Sequence, residues 1–147
     1  MNLSEPTQNL DTAARLRLAV TRTARRLRQE ANADLTPSLM AALATVDRHG
    51  PLTPSELAQI ERVRRPTATK VAARLEERAL IARAGDPDDG RVTLLSITDE
   101  GRALLERARS RKNAYLASRM ENLSPEDLAA LERAADVLER MLEERER

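Results

Sequence analysis

The chain has 147 residues, the length of one ordinary domain, and its 25 Lys and Arg against 24 Asp and Glu leave a formal net charge of +1. It has no cysteine, one histidine (His49) and no Phe or Trp, so disulfides, thiolate chemistry and a His-rich metal site are excluded. Any core has to be built from Leu, Ala, Val, Ile and Met, with Tyr115 the single ring.

About a third of the residues are charged, with Glu and Arg often a few places apart, a composition that favours long exposed helices over a sandwich or barrel. No apolar run approaches the ~20 residues of a membrane span. The first twenty residues lack an apolar segment followed by a small-residue cleavage site. A soluble, cytoplasmic protein is expected, with no metal or cofactor.

The first predicted element is a helix from about Leu10 to Ala31, with Leu16, Val20, Ala24, Leu27 and Ala31 as its apolar stripe. Thr36-Pro37 supplies an N-cap and a proline at the first helical position for a second helix. That helix carries Leu39, Met40, Leu43 and Val46 and stops at Gly50-Pro51. Thr53-Pro54-Ser55-Glu56 repeats the start signal with a capping-box glutamate, opening a short helix with Leu57, Ala58 and Ile60 as its apolar face.

Pro66 begins a fourth helix, reaching about Ala79, with Arg65 as the candidate N-cap. The period then changes: "LIARAG" and "RVTLLSI", joined by "DPDDG", read as a β-hairpin. Thr98 caps a helix from about Asp99 to Asn122, and Ser124-Pro125-Glu126-Asp127 starts the last one. In that last helix Leu128, Leu131, Ala135, Leu138 and Leu142 step by three and four residues, a seam that wants a helical partner. A partner chain and this chain's own first helix both meet that need. The predicted fold is mainly α (α+β), in the order α-α-α-α-β-β-α-α.

Residues 62–75, "RVRRPTATKVAARL", hold five basic side chains and no acid, although residues 36–100 as a whole contain nine Lys/Arg and ten Asp/Glu. Binding by bulk charge is therefore expected to be weak, and a local patch has to carry it. On the fourth helix Ala68, Val71, Ala72, Leu75 and Ala79 converge on one stripe, while Thr67, Lys70 and Arg74 lie opposite with Pro66 beside them. Arg65 caps poorly, so the N–H groups of Thr67 and Ala68 need another acceptor, and with Arg64 and Arg65 alongside a DNA phosphate would serve.

The alternative is an ordinary solvated helix face. The surrounding pattern favours DNA, because a short capped helix, a turn, a basic amphipathic helix and a hairpin make the plan of a winged helix-turn-helix. Arg91 at the hairpin tip then suits a narrow minor groove, or pairs with Asp86, Asp88 or Asp89, and the two roles are compatible.

Residues 55–105 resemble the MarR family of bacterial transcriptional regulators. The resemblance rests on Glu56-Leu57-Ala58, Thr67-Ala68-Thr69-Lys70, Arg74-Leu75-Glu76, the wing Asp86-Pro87-Asp88-Asp89-Gly90-Arg91, and Ser96-Ile97-Thr98-Asp99-Glu100-Gly101. The wing motif is the specific one. Four positions depart from the family pattern: Arg62 stands where the turn usually has Gly, Glu61 where an apolar residue is common, Arg64 for a small cap, and Ala79 for the Gly that ends the recognition helix.

The resemblance implies a homodimeric repressor on a pseudo-palindromic operator, released by a small ligand. Residues 1–35 and 101–147 would be dimerisation helices, and residues 36–100 the DNA-binding region. Together with the basic stretch and the leucine seam it points to Arg62, Arg64, Arg65, Pro66, Thr67, Thr69, Lys70, Arg74 and Arg91 at the DNA (Arg62 either adding a phosphate contact or only fraying the turn), Asp86 and Asp89 in support of the wing, and Leu16, Val20, Leu128, Leu131, Leu138 and Leu142 in the dimer. Many relatives bind small aromatic acids. Here Arg15, Arg22 or Arg26 is available to pair with a carboxylate ligand, though each also suits solvent or an acidic neighbour. Cysteine-based peroxide sensing is excluded, and a single histidine argues against zinc sensing. No nucleophile–base pair or glycine-rich phosphate loop can be assembled, so no enzyme is expected. A protein-interaction module without specific DNA binding is the alternative function.

Overall fold

The computed structural model describes residues 4–31 and 34–143. The elements are α1 (Ser4–Ala31), α2 (Pro37–His49), α3 (Pro54–Glu61), α4 (Arg65–Glu77), β1 (Ile81–Gly85), β2 (Thr93–Ile97), α5 (Asp99–Met120) and α6 (Pro125–Glu143), in the expected order. They fall into two compact units, Met1–Lys112 and Asn113–Arg147, and α5 contributes to both.

The core of the first unit lies among α2, α3, α4 and the hairpin. Leu43, Val46, Leu52, Leu57, Leu75, Ile81 and Leu95 are fully buried there, each contributing about 1.5–3 kcal/mol of burial free energy. Leu105 of α5 joins the same cluster. With no ring in the core, close approach of helices depends on small residues, and Ala42, Ala58, Ala68 and Ala72 are all buried at those contacts.

Helix starts follow their caps. Thr36 Oγ1 accepts from the Leu39 N–H at 3.3 Å. At α3 the capping box is complete: Thr53 Oγ1 accepts from the Glu56 N–H at 3.1 Å, and Glu56 Oε2 from the Thr53 N–H at 2.8 Å. Helix α1 begins at Ser4, not near Leu10, because the apolar period marks only what is available for burial, while the helix runs on through polar residues. Its stripe is graded: Leu16 and Val20 are exposed, Ala24 and Leu27 half-buried, and Ala31 buried. Ile60 of α3, expected on the apolar face, is 44% exposed. On this eight-residue helix Leu57 and Ala58 alone are buried.

Strands β1 and β2 pair antiparallel with Ile81 opposite Ile97 and Arg83 opposite Leu95. Leu52, in the α2–α3 connection, exchanges backbone hydrogen bonds with Leu95 at 3.1 and 2.7 Å. The wing is thereby anchored to the helical core as well as to itself. The hairpin's exit is tied to the end of α4: the Thr98 N–H donates to the Leu80 carbonyl at 3.1 Å, and its hydroxyl donates to the Ala79 carbonyl at 2.6 Å and accepts from the Gly101 N–H at 3.0 Å. Asp47 of α2 receives Arg102 and Arg109 of α5 at 3.8 and 3.5 Å.

The second unit holds the end of α5 and all of α6, joined by a short turn. Ser124 Oγ accepts from the Asp127 N–H at 3.1 Å, the cap expected for α6. No α6 residue is buried; Leu128 and Leu138 are half-buried, while Leu131 and Leu142 are exposed.

Candidate nucleic-acid interface

Helix α4 starts at Arg65 with Arg64 as its N-cap, one residue earlier than Pro66 alone indicates, and it ends at Glu77, short of Ala79. Arg64 makes no side-chain capping bond. The Thr67 and Ala68 N–H groups, expected to be free for an anion, both donate to the Arg64 carbonyl, at 3.0 and 3.1 Å. Pro66 has no N–H, so the first turn offers an incoming phosphate at most the Arg65 N–H. The guanidinium groups of Arg64 and Arg65 are the stronger attraction at this end.

Both helix ends of the helix-turn-helix close in the same way. At α4 the Leu80 N–H donates to the Leu75 carbonyl at 3.0 Å and the Ala79 N–H to the Glu76 carbonyl at 2.9 Å. At α3 the Val63 N–H donates to Ala58 at 3.0 Å and the Arg62 N–H to Gln59 at 3.2 Å. These are Schellman closures, which need a left-handed residue, and Arg62 (φ 54°) and Ala79 (φ 58°) occupy it. The two positions where the family usually has glycine are thus the two strained ones. Ala79, assigned to the core stripe from its spacing, is exposed, because the helix has already ended.

The remaining stripe behaves as expected. Ala68, Ala72 and Leu75 are buried and Val71 half-buried, while Arg62, Arg64, Arg65, Pro66, Thr67, Thr69, Lys70 and Arg74 are all exposed. One side of α4 is therefore sealed into the core and the other presents Thr67, Lys70 and Arg74 to solvent. Thr69 Oγ1 donates to its own helix at the Arg65 carbonyl, 2.9 Å away, leaving its lone pairs for an acceptor role.

In the wing, Asp86 Oδ1 accepts from the Asp88 N–H at 2.8 Å, and Asp89 Oδ1 from the Arg91 N–H at 3.1 Å. Of the three aspartates, Asp89 is the one that pairs with the Arg91 side chain, at 3.6 Å, and that side chain stays 95% exposed. So loose a pair holds the tip without occupying the guanidinium.

Between wing and helix lies a cleft of about 400 Å³ lined by Arg65, Thr69, Arg83 and Arg91 with the hydroxyl residues Thr53 and Ser55, and by no acid among the described residues. Arg83 was not singled out from the sequence. It lies opposite Leu95, on the inward face of its strand, and reaches Glu76 of α4 at 2.8 Å. The alternation of Ile81 and Arg83 is the signal that marks it. Glu61, unusual for its position, accepts a hydrogen bond from the Thr45 hydroxyl, which gives the departure a local reason.

A second cavity, about 360 Å³, is bounded by Arg25, Arg28 and Lys112 over an apolar floor that includes Leu35, Pro37 and Met40, and no acid among the described residues lines it. The α1 arginines singled out earlier are elsewhere. Arg26 pairs with Glu30 at 2.7 Å, and Arg15 and Arg22 border a separate open groove with Leu16 and Leu18. Among the described residues, no cluster of three or more His, Asp or Glu is placed to hold a metal ion. No helix among them is long and apolar enough to cross a membrane.

A helix-turn-helix with an exposed basic second helix, flanked by an anchored two-stranded wing, defines the winged helix-turn-helix class. The comparisons with known proteins narrow it further. Residues 35–93 match the MarR family model. A Mycobacterium tuberculosis HTH-type transcriptional regulator is 36% identical over 133 residues, covering 90% of this chain and 93% of that protein. The Bacillus subtilis transcriptional repressor MdtR is 36% identical over 94 residues, 64% of this chain and 61% of its own length. The crystal structure of a candidate transcriptional regulator from Pseudomonas aeruginosa is 38% identical and superposes with a TM-score of 0.84, covering 92% of this chain and 96% of that one. The chain belongs to the MarR family of transcriptional regulators.

Proposed function

We propose that this regulator is a homodimeric repressor of a pseudo-palindromic operator, with α4 in the major groove and Arg91 of the wing in the adjacent minor groove. The observation that carries the reading is the two-sided character of α4. Ala68, Ala72 and Leu75 fix it to the core while Thr67, Lys70 and Arg74 stand free of it. In a major groove Lys70 and Arg74 would read guanine edges and Thr67 would read more loosely. Arg62, Arg64 and Arg65 would meet phosphates at the helix start, and Asp86 and Asp89 would shape the wing.

Repression is the sign of regulation that the name of MdtR supports. Dimerisation is supported by the exposed apolar residues Leu10, Leu16, Leu18 and Val20 of α1 and Leu131, Val137, Met141 and Leu142 of α6. So many large apolar side chains in water favour association. We assign residues 1–35 and 101–147 to that interface and residues 36–100 to DNA. For release, the cavity bounded by Arg25, Arg28 and Lys112 suits an anionic ligand with an apolar body.

The test is fluorescence anisotropy with a duplex from upstream of the protein's own gene, against a scrambled duplex, across a salt series. Tight binding to the first alone, falling steeply with salt, is the expected result. Equal, weak binding to both duplexes, together with retention of a partner protein on the immobilised chain, would favour the interaction-module reading instead.

A further inference from the structure

The groove between α2, α3 and α4 differs from the other cavities in the sign of its charge. It encloses about 340 Å³, with Leu57, Val63 and Val71 as apolar walls and the Ser38 and Thr67 hydroxyls at its border. Among the described residues, Glu61 is the one ionisable group lining it. This carboxylate is half-buried at the C-terminus of α3. Its Oε1 takes the Thr45 hydroxyl, and among the described residues no lysine or arginine pairs with it. Its chain neighbours Arg62 and Arg64 are exposed, and neither lines the groove.

A carboxylate at a helix C-terminus lies at the negative end of the helix dipole, where a cation is stabilised and an anion is not. The fold thus sets one carboxylate at the end of an apolar groove that, among the described residues, no lysine or arginine lines. Val63, 41% exposed on the wall of that groove, adds apolar surface that a ligand would remove from water.

We propose that this groove binds a small amine with an apolar body, its ammonium on Glu61 and its hydrophobic part against Leu57, Val63 and Val71. A volume of 340 Å³ falls within the range of small-molecule sites. The opposite charge of the Arg25, Arg28 and Lys112 cavity makes the two sites separable by ligand charge. Because Val71 and Thr67 belong to α4, an occupant of this groove bears directly on the recognition helix.

The chain has no tryptophan, so an indole ligand reports its own binding by fluorescence anisotropy. The probes are tryptamine, its uncharged counterpart tryptophol and the anion indole-3-acetate, each titrated with the full chain. Tryptamine should bind saturably, and tryptophol at least about five-fold more weakly, the cost of losing a charge-assisted hydrogen bond. Glu61→Gln, which keeps an acceptor for Thr45, should weaken tryptamine by a similar factor. Ala41→Leu, a change at an exposed helical position lining the groove, should block tryptamine by filling it. Neither substitution should alter indole-3-acetate binding, and circular dichroism checks that both variants stay folded. Absence of saturable tryptamine binding, or equal tryptamine affinity in wild type and both folded variants, would overturn the proposal. None of these outcomes depends on DNA.

Discussion

Arginine 62 and alanine 79 show how single residues set the stability of this helix-turn-helix. Each closes a helix in the left-handed region, which costs an L-residue about 1 kcal/mol that glycine avoids. Arg62→Gly and Ala79→Gly are each expected to raise stability by about 0.5–1 kcal/mol, read as a higher urea midpoint at unchanged slope. Arg62→Gly also removes a cation next to the helix start and should shift the DNA salt dependence by up to about one unit of slope. Ala79→Gly should leave DNA binding alone. On the reading face, Lys70→Ala and Arg74→Ala should each cost about 1–3 kcal/mol of operator binding if they read bases. Arg91→Ala should weaken binding with no change in thermal midpoint, since its pair with Asp89 is exposed. Operator titrations that leave all three variants like wild type would reject the face.

At the scale of elements, the informative feature is the lock between the end of α4, the end of β2 and the start of α5. Thr98 bonds the Ala79 and Leu80 carbonyls, and Gly101 lies so close that an added Cβ would stand 2.2 Å from the Leu80 carbonyl oxygen and 2.8 Å from Ile97. The closing glycine of the family motif is therefore a packing requirement. Gly101→Ala should destabilise the fold by about 2 kcal/mol or more, because backbone cannot give way as a flexible side chain can. Thr53→Ala, which removes one half of a capping box, should cost about 1 kcal/mol. Thermal denaturation of the two variants should rank them in that order. Hairpin, turns and the hydroxyl caps were legible beforehand because they depend on local chemistry: proline, glycine and hydroxyl residues at fixed offsets. The exact end of α4 was not, since Leu80 is drawn into the core as the chain turns and the helix has to close before it.

For the whole molecule, the exposed apolar residues of α1 and α6 make association the expected state. Light scattering on a sizing column should give a dimer, and Val20→Glu or Leu131→Glu should shift it toward monomer and weaken operator binding together. A stable dimer at micromolar concentration in both variants would move the interface elsewhere. Paired recognition helices one DNA turn apart would read half-sites about 10 bp centre to centre, which footprinting measures directly.

Sequence alone determined the class of fold, the element order and the exposed basic side of α4. Those follow from period, caps and the sorting of small apolar from charged residues, all local along the chain. It also marked four unusual positions, of which Arg62 and Ala79 proved to be the strained ones. Only the tertiary structure decided which groups meet across distance: Arg83 with Glu76, Thr45 with Glu61, the Leu80 carbonyl over Gly101, and which arginines border a cavity. Arg25 and Arg28 do so, whereas Arg26 pairs with Glu30. The physical reason is that burial is a property of surfaces brought together by the core, and a helix of known period still does not reveal what its neighbours will cover.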